Sequence, residues 1–159
     1  MIKWFFLCKT RIYSPCDGEV LSLKLLNDQI FCEGRLGEGV MIEPDGDEVT
    51  LYAPISGVIS AINETNHALI ISNKNVSVLL HIGTQTTQLQ GQGIDLLVKQ
   101  NQKVRKRQAL LKLNLAYLQS HLDFAGIIMV VIPESKRHRL SQIKYGKIQK
   151  KQLIFKASK

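Results

Sequence analysis

The chain has 159 residues, 45% of them hydrophobic, with three cysteines and a formal net charge of +8. That size supports one domain with a substantial core, and no apolar run approaches the roughly 20 residues that span a bilayer. Cys8, Cys16 and Cys32 are widely spaced and form no CxxC pair, which argues against a disulfide framework or a structural zinc site.

In chain order, residues 1–13 are expected to form an N-terminal tail carrying Lys3, Lys9 and Arg11 beside Trp4, Phe5 and Phe6. It lacks the apolar core and cleavage site of a signal peptide, so a cytoplasmic protein is expected. The tail has two readings, an anchor on an anionic membrane surface or a frayed end or edge strand. From 14 to 159 the expectation is one all-β domain. Glu19–Leu23, Gly39–Ile42, Glu48–Ala53, Gly57–Ile62, Ala68–Ser72, Ser77–Ile82, Ala109–Leu113 and Ile127–Ile132 have strand length and composition. Pro15-Cys16-Asp17-Gly18, Pro44-Asp45-Gly46-Asp47 and Pro54-Ile55-Ser56-Gly57 are turn signals between them. Many short strands at close spacing predict an antiparallel β-sandwich or barrel. Leu115, Leu118 and Leu122 predict a short helix over 115–123.

Ser14-Pro15-Cys16-Asp17-Gly18 is echoed by Ala53-Pro54-Ile55-Ser56-Gly57, with a partial third echo in Lys99-Gln100-Asn101-Gln102-Lys103-Val104. Proline at a strand entry and glycine in the turn suggest an internally duplicated sheet. After Ser135 come nine Lys and Arg and no acid, so the basicity belongs to the C-terminal segment. Only Tyr145 lies among those charges before Phe155, which is no stacking platform, and no nucleic-acid partner is expected.

His67 and His81 stand at the polar ends of strand-like segments in the most apolar stretch. Imidazole titrates near neutral pH and its unprotonated nitrogen is a nucleophile, so two adjoining rings can trade a phosphoryl group or hold a metal. The rings are expected to border a common solvent-facing depression. His121 and His138 lack such context and are expected at the surface. A zinc hydrolase is disfavoured, because no HxH or HExxH motif occurs.

Several segments together resemble one family. Pro15-Cys16-Asp17-Gly18, Asp28-Gln29-Ile30-Phe31, Leu36 to Pro44, Ala53-Pro54-Ile55-Ser56-Gly57, Glu64-Thr65-Asn66-His67-Ala68, Leu80-His81-Ile82-Gly83 and Leu89-Gln90-Gly91-Gln92-Gly93 occur in the order and spacing of the glucose-type enzyme IIA domain of the bacterial phosphoenolpyruvate:sugar phosphotransferase system. The resemblance implies an antiparallel β-sandwich with a duplicated hybrid motif. It implies that His81 accepts a phosphoryl group from the carrier HPr and passes it to the IIB domain of a sugar permease. His67 would stabilise the phosphate and Thr65 would orient His67. The carbonyl near Gly83 would fix the His81 tautomer.

The resemblance places partner contacts at Phe31, Asn63, Leu79, Ile82 and Gln85, where the family carries phenylalanines and, at Gln85, an aspartate. The substitutions predict altered partner recognition, and the loss of a carboxylate at Gln85 removes a charge that would pair with a donor arginine. An alternative reading is a regulatory binding protein of the same fold that docks on metabolic enzymes or permeases. No intrinsic metal or other cofactor is expected, though a zinc ion bridging His67, His81 and a partner carboxylate is suggested by relatives.

Overall fold

A computed structural model of the chain describes residues 9–133 and 135–159. The proposed anchor therefore lies outside the described residues up to Cys8. Lys9–Tyr13 forms a strand, β1.

Thirteen further strands follow among the described residues. They are β2 (Gly18–Ser22), β3 (Glu38–Pro44), β4 (Glu48–Tyr52), β5 (Gly57–Ile62), β6 (Ala68–Ser72), β7 (Ser77–Ile82), β8 (Ile94–Leu96), β9 (Lys103–Val104), β10 (Ala109–Asn114), β11 (Ile128–Ile132), β12 (Arg139–Ser141), β13 (Gly146–Ile148) and β14 (Leu153–Ser158). Two short helices, α1 (Gln29–Cys32) and α2 (Leu115–His121), interrupt them. The predicted helix is present two residues shorter than expected, ending where Leu122 turns extended. All pairings are antiparallel, in an eight-stranded sheet of order β13-β2-β3-β11-β7-β6-β5-β9 and two three-stranded sheets, β1-β14-β12 and β4-β10-β8. This is the β-sandwich that the strand spacing and the resemblance both implied.

Side-chain alternation sorts the eight-stranded sheet into two apolar layers. On β7, Val78, Leu80 and Ile82 enter the main core, together with Ile128, Val130 and Ile132 of β11. Leu79 of β7 and Met129 and Val131 of β11 face the other way, into a smaller cluster closed by Leu23, Leu26 and Phe31. That second layer carries the histidine site.

The duplication is visible in reciprocal backbone hydrogen bonds. Tyr13 N–H donates to the Pro54 carbonyl (3.1 Å) and Tyr52 N–H to that of Pro15 (2.9 Å). The Ser14 carbonyl accepts from Lys151 N–H (2.8 Å) and the Ala53 carbonyl from Arg107 N–H (2.7 Å). The two proline-bearing segments thus hold each other's entry, and each is closed by its own turn, 149–152 or 105–108. The third echo, 99–102, copies that closing turn instead of the proline entry. In each of the three a final glutamine Oε1 accepts the first residue's N–H: Gln102 (2.9 Å), Gln108 (3.0 Å) and Gln152 (3.1 Å).

Candidate functional site

His81 is the fifth residue of β7, opposite Ala68 of β6 on one side and Met129 of β11 on the other. The alternation that buries Leu80 and Ile82 sends the imidazole to the second layer. There Phe31 of α1 meets it edge-on, with ring centroids 4.9 Å apart at 64°. Four residues are too few for a helix to persist on propensity. The Asp28 Oδ1 accepts the Ile30 N–H (2.9 Å) as its N-cap, and Phe31, 5% exposed, anchors it in the cluster.

His67 ends the loop between β5 and β6. Its carbonyl accepts the Ile82 N–H (2.8 Å), tying that loop to the end of β7. The two imidazoles lie side by side, centroids 4.9 Å apart and planes at 77°. The segment between Thr65 and His67 is a tight turn, with Asn66 in the left-handed region at φ 61, and the turn brings the Thr65 hydroxyl to the His67 ring.

Hydrogen bonding fixes both tautomers. The Asn63 Oδ1 accepts from Thr65 N–H (2.9 Å) and from the Thr65 hydroxyl (2.8 Å). A hydroxyl has one proton to give, so Thr65 Oγ1 must accept at its 2.6 Å contact with His67 Nδ1, which therefore carries the hydrogen. On His81, Nδ1 lies 3.0 Å from the Gly83 carbonyl, a pure acceptor, and must donate. Both neutral rings thus keep an unprotonated Nε2, and neither Nε2 has a hydrogen-bond partner among the described residues.

The two rings are adjacent, as expected, but more buried than a solvent-facing pair would be. His81 is half-buried and His67 is only 7% exposed, because the Asn63–Thr65 loop covers its Nδ1 edge. Burial, reinforced by the neighbouring His67, lowers the His81 pKa from 6.5 to about 4, against weaker upward pulls from the Gly83 carbonyl and the Asp28 carboxylate. Burial lowers His67 as well. Both rings are neutral at pH 7.

This has a consequence for stability. Between pH 6.5 and about 4 the unfolded chain protonates His81 and the folded one does not. The unfolded state then binds more protons, so stability falls as pH drops through that window, by at most about 3 kcal/mol from this residue. His67 adds in the same direction. Urea unfolding at pH 7 and pH 4.5 is expected to show the drop, and the His81→Gln variant a smaller one.

Of the residues expected to contact partners, Asn63 and Gln85 are exposed, whereas Phe31 and Leu79 are 5% and 8% exposed and form the wall and floor of the site. Ile82 is corrected: it is 1% exposed and packs in the main core, because a neighbour of His81 on a strand must point to the opposite face. Ile30 of α1 and Phe124 are exposed apolar side chains, at 47% and 60%. Phe124 shares a surface hollow with Asp28, Gln85, His121 and Asp123. Asp28 had no assigned role from sequence; its position before Gln29-Ile30-Phe31 was the available signal, a helix cap. His121 is exposed as expected, but His138 is 6% exposed, with Nε2 2.9 Å from the Asn75 carbonyl. Cys16 is buried, its thiol pushed up to about 12 first by burial and then by Asp17 and Asp45, so it is no nucleophile. The described residues contain no cluster of three metal-ligating side chains, and none of their helices is long and apolar enough to cross a membrane.

Fold and site together define a β-sandwich domain with a paired-histidine centre. Residues 10–138 match the phosphoenolpyruvate-dependent sugar phosphotransferase system, EIIA 1 family, and the chain belongs to that family. The glucose-specific EIICBA component of Staphylococcus carnosus (strain TM300) is 32% identical over 138 residues, covering 86% of this chain and 20% of that protein. The glucoside-specific EIICBA component of the same strain is 32% identical over 139 residues, covering 87% and 20%. The chain spans about a fifth of the length of these relatives. The structure of glucose permease IIA from Mycoplasma capricolum aligns with a TM-score of 0.88 at 28% identity, over 96% of this chain and 98% of that one.

Proposed function

We propose that the chain is a phosphoryl carrier, in which His81 Nε2 takes a phosphoryl group from the phosphohistidine of HPr and yields it to the IIB domain of a sugar permease. The observation that carries this reading is the pair of imidazoles 4.9 Å apart, each with Nδ1 tied to an acceptor. The His81 Nε2 lone pair attacks phosphorus in line as the donor's N–P bond breaks, and the Nδ1–H bond to Gly83 holds the ring in the reactive tautomer throughout.

His67 acts through its charge. As the dianionic phosphoryl group arrives, its field offsets the burial that keeps His67 neutral, and the ring takes a proton from solvent on Nε2. That N–H then donates to a phosphoryl oxygen, where the charge is spread in the transition state. Thr65 keeps Nδ1–H on the far side. Thr65→Val leaves that N–H without an acceptor and is expected to slow transfer roughly 10-fold at a cost of about 1–2 kcal/mol, while Thr65→Ser stays near the parent. Transfer rates from phosphorylated HPr, beside urea unfolding, check both.

The test of the carrier reading is incubation with phosphoenolpyruvate, enzyme I and HPr. A stoichiometric, acid-labile mass gain of one phosphoryl group supports it, and no gain with active donor would turn the reading toward a purely regulatory docking domain. The two unprotonated nitrogens also suit a zinc ion, for which His67 and His81 would supply two of the ligands and a partner carboxylate another. Zinc titration alone and with the IIB domain tests that; tight binding needs the partner.

A further inference from the structure

The internal duplication sets two cationic turns against two tyrosines. In the turn 105–108 the Arg107 guanidinium lies 4.8 Å from the Tyr13 ring centroid and Lys106 Nζ 5.4 Å from it. In the matching turn 149–152, Lys151 Nζ lies 4.5 Å and Lys150 Nζ 5.5 Å from the Tyr52 ring.

Each turn holds its third residue in the left-handed region, Arg107 at φ 70 and Lys151 at φ 69. The third turn of this form has Asn101 there, at φ 67. Asparagine tolerates that backbone well, whereas long side chains adopt it at a cost. The two turns that face tyrosines therefore carry a cation where the fold alone would favour asparagine.

Arg107 and Lys151 line one surface hollow with Tyr13, Lys144, Tyr145 and Lys147, and no carboxylate lines it. Lys147 reaches Asp45 at 3.4 Å, and Asp17 accepts the Lys150 N–H at 2.6 Å, both in an adjoining hollow. Arg107, Lys144 and Lys151 form no ion pair among the described residues. Clustered cations without counter-charges repel one another, and an anion of matching valence would relieve that repulsion.

We propose that this hollow binds a polyphosphate group, two or more linked or neighbouring phosphoryls, presented by a soluble polyphosphate or by a phosphorylated lipid headgroup. Arg107 offers a planar fork for one phosphoryl, Lys144 and Lys151 supply point charges, and the tyrosine hydroxyls add donors. The site shares no residue with the His67–His81 pair, so the inference stands whether or not that pair carries phosphate.

The experiment uses the full chain and two probes: tripolyphosphate by calorimetry, and phosphatidylcholine vesicles with and without phosphatidylinositol phosphate by co-sedimentation. The double variant Arg107→Asn, Lys151→Asn copies Asn101, so its turns and its thermal unfolding are expected to be retained. The control, Lys9→Gln with Arg11→Gln, removes the same charge from β1. The double variant is expected to weaken probe binding at least roughly 10-fold and the control less than about 2-fold. Tripolyphosphate binding assigns the soluble source, and binding to phosphoinositide vesicles alone assigns the headgroup. Equal weakening in the control, or no binding of either probe at about 0.1 M salt, overturns the proposal.

Discussion

The His81→Gln variant is expected to fold and to take up no phosphoryl group from phosphorylated HPr, while His67→Gln is still labelled but roughly 10²–10³-fold more slowly. The asymmetry follows from what each ring offers. An amide nitrogen has no lone pair to attack phosphorus, so replacing His81 removes the nucleophile itself. Glutamine at 67 can still donate a neutral hydrogen bond, but it cannot take the proton that turns His67 into a cation beside the dianion. Folding should survive at position 81, because the side chain is half-buried and neutral and sits at a strand end. Rapid-quench labelling under alkaline conditions, which preserve phosphohistidine, reads both rates. Labelling retained in His81→Gln and lost in His67→Gln would move the acceptor to His67.

Much of this architecture was legible because it rests on local pattern. The strands from 18 to 82, β10 and β11 are apolar runs between proline and glycine turns, and they occur within a few residues of their expected bounds. The pairing of His67 with His81 came from motif spacing, and β6 and β7 then align Ala68, next to His67, with His81 in register. The elements that escaped have no local signal. A two-residue strand such as β9 carries no period, and α1 exists because Asp28 caps it and Phe31 is buried. His138 is buried where its Nε2 meets the Asn75 carbonyl, sixty-three positions away. Ile82 is different: as the residue after His81 on β7 it must face the main core, whatever side chain relatives carry there. The Asn63 oxygen has a role that no local signal carries: it sets the Thr65 proton and through it the His67 tautomer.

Gly83→Ala is expected to damage stability and transfer together. Gly83 follows β7 with φ 61, in the left-handed region, and a Cβ there would lie 2.5 Å from the Ala125 carbonyl oxygen and 2.6 Å from the Ala125 Cα. Both obstacles are backbone, so no side-chain rotation relieves them. The chain must move where Gly83 N–H donates to the Ile127 carbonyl at 2.6 Å and the Gly83 carbonyl accepts from His81 Nδ1. Left-handed strain of about 1–2 kcal/mol plus the displaced hydrogen bonds gives an expected loss of roughly 3 kcal/mol. A displaced carbonyl also frees the His81 ring to rotate and to exchange its proton between nitrogens, so the reactive tautomer is no longer held. Transfer in the folded fraction should then fall about 10-fold or more, because hydrogen-bonded orientation of the nucleophile is what the carbonyl supplies. Urea unfolding and rapid-quench labelling on the same preparation separate the two effects. A variant that loses stability but transfers at the parent rate per folded molecule would show that the Gly83 carbonyl does not set the His81 tautomer.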